Sequence, residues 1–109
     1  MSVLVVETYI VKAEKVDEFD PALEEFLQFK DANPQLFAGV RAWSLHRQDY
    51  GSVAGLYAET WEFDDLAAME EATARIFADE KMKAISRGFH QLVDPATFSA
   101  SIWRPIATR

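Results

Sequence analysis

The chain has 109 residues, half of them hydrophobic, with three Trp, three Tyr, eight Phe and no cysteine. That length fits a single domain, 1–109, with one sizeable core, and the missing cysteine excludes disulfides, thiolate nucleophiles and Cys-ligated metals. A net charge of −7, from 11 basic and 18 acidic residues, argues against nucleic acid, whose phosphates require a basic footprint.

Residues 3–12 are apolar and β-branched and are predicted as a strand. Residues 16–31 follow with Phe19, Leu23, Phe26, Leu27 and Phe29 at helical spacing. Asp20-Pro21 fits an N-cap and first helical residue, and a start at Asp17 would also tolerate the proline. Asn33-Pro34 ends the helix, because proline disfavours helical dihedrals in the residue before it. Residues 39–48 and 55–63 then read as a hairpin turning within Asp49-Tyr50-Gly51-Ser52. Residues 65–93 are helical, with a break near 78–80 where Asp79 looks like a second cap after the first at Asp64 or Asp65. Asp94-Pro95 ends that region, and residues 97–104 form the last strand. No run reaches the ~18 apolar residues of a membrane span, so no membrane partner is expected. The N-terminus shows no basic stretch leading an apolar region, so a cytoplasmic location is expected.

This βαββαβ order implies a four-stranded antiparallel α+β sheet with both helical regions on one face. The alternation then raises a packing problem. In the first strand Leu4, Val6, Thr8 and Ile10 oppose Val3, Val5, Glu7, Tyr9 and Val11. In the third, Leu56, Ala58 and Thr60 oppose Tyr57, Glu59, Trp61 and Phe63. Neither face is polar, whereas a sheet with one solvated face shows a polar side. A second copy of the chain is the simplest cover, so a homodimer is expected.

The segment Tyr57-Ala58-Glu59-Thr60-Trp61-Glu62-Phe63-Asp64-Asp65-Leu66, a strand ending in Trp-Glu and entering a capped helix, resembles the dimeric α+β barrel superfamily. It is similar to the antibiotic-biosynthesis-monooxygenase-like and NIPSNAP-like branches. Ala78-Asp79-Glu80-Lys81-Met82-Lys83 and the opening Glu7-Thr8-Tyr9-Ile10-Val11-Lys12 resemble NIPSNAP-like proteins. The resemblance implies a ferredoxin-like protomer with strand order 4-1-3-2, pairing sheet to sheet. It also implies an activity drawn from a diverse set that includes cofactor-free oxygenation, isomerisation and haem degradation, so the fold alone does not choose. Haem degradation is disfavoured: Glu7 stands where such members carry Asn, and no histidine lies between Asp64 and Phe89. No cofactor is expected.

Glu7 interrupts an apolar strand face, and Glu59 sits mid-strand. A buried carboxylate must find a partner or titrate upward, and either suits acid–base work. Taking the first and third strands as parallel brings the two close enough to couple. The plainer alternative pairs them with Arg41, Arg47 or Arg104. His46, flanked in alternation by Ala42 and Ser44, is the third catalytic candidate, a base near neutral pH on a small-residue face. His90 reads as a helix-end residue. Tyr9, Tyr57, Trp61, Trp103 and Arg41 are the ligand-binding candidates, although strand aromatics, Trp43 included, serve the core more often than a ligand. No His-x-His or His-x-x-x-His spacing points to a metal. A cavity between sheet and helices, lined by Glu7, Tyr9, His46, Glu59 and Trp61, would take a small, partly apolar or aromatic molecule, with chemistry limited to cofactor-free monooxygenase or isomerase-type steps. The rival is a non-catalytic structural or interaction dimer.

Overall fold

The β-branched run Val3–Ile10 forms strand β1 of the computed structural model, in which residues 2–51 and 55–108 are described. Helix α1 (Val16–Ala32) follows a 3-10 turn at Ala13–Lys15, and strands β2 (Ala42–Arg47) and β3 (Leu56–Phe63) form the hairpin. Helices α2 (Leu66–Ala78) and α3 (Glu80–His90), a 3-10 turn at Pro95–Thr97 and strand β4 (Ser99–Trp103) complete the order. Ser52 of the expected turn lies outside the described residues. Among the described residues, no helix is long and apolar enough to cross a membrane.

The sheet runs β2-β3-β1-β4 with every neighbouring pair antiparallel, the ferredoxin-like order 4-1-3-2. One expectation is corrected: β1 and β3 are antiparallel, not parallel. The reason is topological. Helix α1 carries the chain back so that β2 enters the sheet parallel to β1, and the hairpin then threads β3 between them in the opposite sense.

Helix α1 starts at Val16, earlier than the Asp20 cap reading, and Pro21 sits inside it. Pro21 has no N–H for the carbonyl four residues back, a cost that the burial of Phe19 at 3% exposure offsets. Asn33 ends the helix, its side-chain amide donating to the Phe29 carbonyl at 2.8 Å. Asp65 caps α2 by accepting from Ala68 N at 2.7 Å. Asp79 stands between α2 and α3 in extended conformation, and its carboxylate accepts from Met82 N at 2.9 Å. The break in the second helical region is therefore a cap, as the sequence implies.

The odd-numbered residues of β1 and β3 face the helices, and they build two separate cores. Val3, Trp61 and Phe63 pack with Ala72, Ile76 and Met82 towards one end of the sheet. Tyr9, Val11, Phe19, Leu92 and Val93 pack towards the other. Between them, at the middle of β1 and β3, apolar packing stops. We expect Asp79→Ala to cost about 1 kcal/mol through loss of the α3 cap. Urea unfolding checks this, and an unchanged midpoint would contradict the capping role.

Candidate active site

The gap between the two cores is set by register. In the β1–β3 ladder Val3 pairs with Phe63, Val5 with Trp61, Glu7 with Glu59 and Tyr9 with Tyr57. Two carboxylates thus stand directly opposite each other on the helix-facing side of the two central strands, where like charges are mutually destabilising. They are not treated alike. Glu59 accepts hydrogen bonds from the Tyr9 hydroxyl at 3.2 Å, Trp43 Nε1 at 3.3 Å and Trp61 Nε1 at 2.7 Å. Glu7 makes no hydrogen bond or ion pair with any described residue. Burial, reinforced by the facing Glu59, pushes its carboxyl from an ordinary 4.5 up to about 7, opposed by nearby His90. Burial and the bond to Glu59 raise the Tyr9 hydroxyl well above the ordinary phenol range, so Tyr9 serves as a fixed donor.

Above these two residues lies an open-mouthed cavity, about 620 Å³ with its mouth included. Its floor is Glu7, Glu59 and Tyr9; Trp43, Trp61 and Phe26 form one wall. Phe89, Phe98 and the α3 residues Met82 and Ile85 form the other, with Ser86 and His90 beside them. The rings hold one another in place. Phe26 lies 5.4 Å from Trp43 and 5.9 Å from Trp61, and Tyr9 meets Phe89 edge-on at 5.1 Å. Met82 is the residue on which the α3 cap acts, so the break at Asp79 also fixes this wall.

His90 belongs to the site, which sequence reasoning did not foresee. Its Nδ1 lies 2.7 Å from the Ser86 carbonyl and 3.3 Å from the Ser86 hydroxyl. A carbonyl only accepts, so Nδ1 carries the hydrogen and Nε2 is the nitrogen left to exchange a proton. The available signal was the spacing Ser86 to His90, one helical turn, on the helix that carries the apolar stripe Met82, Ile85 and Phe89. Trp43, read as core, is likewise both a wall and a donor to Glu59.

Several expected site residues lie elsewhere. His46 pairs with Ala58, and alternation places it on the opposite face from Glu59, exposed to solvent. Its expected place in the cavity is therefore corrected. Trp103 pairs with Leu4 on that same open face and is 60% exposed. Arg41 forms an exposed ion pair with Asp64 at 2.6 Å, and Arg47 pairs with Asp49 at 3.2 Å, so neither neutralises the carboxylates. Tyr57 stacks on Tyr9 at 5.8 Å and packs on Phe19 at 4.6 Å as part of the second core. Among the described residues, no group of three or more His, Asp or Glu is arranged to hold a metal.

The fold and site define a ferredoxin-like α+β protein with an acidic, aromatic-walled cavity in the protomer. Its fold is similar to that of NIPSNAP family proteins and of antibiotic biosynthesis monooxygenase-like proteins of known structure. A NIPSNAP family protein from Agrobacterium tumefaciens superposes with a TM-score of 0.74 at 15% identity, over 95% of this chain and 85% of that one. An uncharacterized NIPSNAP domain protein from Burkholderia xenovorans gives 0.70 at 21% identity, over 96% and 95%. A mutant of SnoaB, a cofactor-independent oxygenase from Streptomyces nogalater, gives 0.69 at 16% identity, over 98% and 95%. No protein-family model matches the sequence, and no curated protein matches it.

The raised pKa of Glu7 has a thermodynamic signature. The native state binds its proton more tightly than the unfolded state, so Glu7 lowers stability as pH rises from 4.5 to about 7. Above that the loss is complete, up to about 3 kcal/mol at 1.36 kcal/mol per pH unit. Glu7→Gln should therefore be more stable than wild type at pH 8 and equal to it at pH 4, as read by urea unfolding. Destabilisation at pH 8 would mean that Glu7 is half of an ion pair.

Proposed function

We propose that this protein is a homodimeric α+β barrel whose protomers each bind a small, partly apolar, aromatic molecule in the cavity between sheet and helices. In this reading Glu7 is the group that accepts a proton from the bound molecule. The observation that carries it is the asymmetry of the carboxylate pair. Three donors hold Glu59 in place, while Glu7 opens on the cavity without a partner and with a proton affinity matched to neutral pH. A purely structural pair would have been neutralised by an arginine, and the arginines flanking β2 are engaged with Asp64 and Asp49. This disfavours the structural-dimer alternative.

Proton abstraction by a buried carboxylate requires no cofactor. The likeness to SnoaB, a cofactor-independent oxygenase, makes monooxygenase chemistry the first class to test, with isomerisation second. His90 Nε2 is the second proton-exchanging group and suits relay between Glu7 and solvent. The aromatic walls supply apolar contact area, and the packed rings leave them little entropy to lose on binding.

The homodimer reading rests on the uncovered face. Leu4, Val6, Ile10, Leu56 and Ala58 lie there with Trp103. Burying each large apolar side chain contributes about 1.5–3 kcal/mol, enough in sum to exceed the cost of association. Light scattering coupled to size exclusion should give a dimer mass for wild type and a monomer mass for Val6→Lys; a monomeric wild type would refute this part.

The three tryptophans make the cavity reading testable without knowing the natural ligand. Titration with 2-phenylethanol should shift the indole N–H resonances of Trp43 and Trp61, which line the cavity, and leave that of Trp103 in place. Shifts confined to Trp103 would overturn the cavity as the binding site.

A further inference from the structure

The chemistry of the cavity restricts what it accepts. Its ionisable lining residues are Glu7, Glu59, Tyr9 and His90, and among the described residues neither lysine nor arginine lines it. The three neutral donors at its floor, the Tyr9 hydroxyl and the Trp43 and Trp61 indoles, are all committed to Glu59. A ligand carboxylate or phenolate reaching this floor would meet two carboxylates and find the three donors already engaged. The same floor is well suited to a positive charge, which Glu7 would accept by a charge-assisted hydrogen bond and the indole and phenyl faces would attract through their quadrupoles.

We infer that the molecule this cavity accepts is an organic cation: a primary or secondary ammonium on an aromatic body, the ammonium at Glu7 and the body between Trp43, Trp61 and Phe89. This rests on the reading of the cavity as the binding site and names its ligand class. The charge balance favours the cation over a neutral guest. Burying the Glu7 carboxylate is expensive, and a neutral hydroxyl supplies one hydrogen bond but no counter-charge. A metal ion fits less well, because the described residues offer no cluster of three ligating side chains. The overall charge of −7 adds long-range attraction for cations.

Three probes of similar shape decide the matter: 2-phenylethylammonium, 2-phenylethanol and 3-phenylpropanoate, titrated at pH 8 and fixed ionic strength by calorimetry and by indole N–H shifts. Wild type should bind the ammonium at least about tenfold more tightly than the alcohol. The carboxylate should not enter. Glu7→Gln, with its fold checked by circular dichroism, should lose most of the preference for the ammonium over the alcohol. If the alcohol moves Trp43 and Trp61 while the ammonium binds no tighter, the cavity reading stands and this inference fails. It fails equally if the carboxylate binds best, or if the folded Gln variant keeps the full ammonium preference. If no probe moves either indole, the cavity reading and this inference fall together. The wild-type comparison decides by itself should the variant not fold.

Discussion

The pairing of Glu7 with Glu59 across the two central strands is the constraint from which the rest of the protomer follows. At that level of the sheet an apolar pair would have let the helices close down and join the two cores into one. Two carboxylates forbid it, because stripping both of water and donors costs several kcal/mol for each ion. The protein answers with an unequal arrangement. The two indoles and the phenol that satisfy Glu59 are long, rigid side chains, and in reaching it they become floor and wall of a cavity. Glu7 keeps the opening beside it. Hydrogen bonding on one side and an unfilled space on the other are two results of a single register.

Burial of the aromatic side chains explains why such an arrangement survives. Tyr9 is 1% exposed and Trp61 7%. Each buries a large apolar body in one of the two cores while directing a polar atom at Glu59. The sheet and helices thus gain from the aromatic groups most of what the carboxylates withhold. Position along β1 matters as much as chemistry. Val5 and Tyr9 flank Glu7 on the same face, so the acidic layer is one residue pair deep and both cores remain continuous to its edge.

Much of this was legible in the sequence. Element order, the approximate limits of each strand and helix, the second cap at Asp79 and the anomaly of Glu7 all follow from local patterns that act within a few residues. What local pattern could not supply is direction and register between strands. The antiparallel sense of β1 and β3 depends on a helical crossover, and the opposition of Glu7 to Glu59 depends on which residues the hairpin aligns. The two histidines show the same limit. His46 belongs to a strand, where one step in register moves a side chain to the other face, and it faces away from Glu59. His90 ends a helix and is linked to the site through the exit of α3, where Val11 bridges Val93 and Lys12 N bonds to the Leu92 carbonyl at 2.8 Å. Only tertiary structure joins those segments.

The place of β1 in the sheet also bears on how the protein is made. It is the first strand in the chain and a central one, bonded on one side to β3 and on the other to β4, the last element. Neither partner has left the ribosome when β1 emerges, and pairing across almost the whole chain carries a large loop-closure cost that slows folding. During synthesis β1 therefore waits with both hydrogen-bonding edges unpaired and its valines exposed, a state open to aggregation. Glu7 sits in the middle of that strand and interrupts it with a charge. A charge at that position, which keeps the two cores apart in the finished protein, also opposes the strand-to-strand pairing by which an unpaired β1 would aggregate.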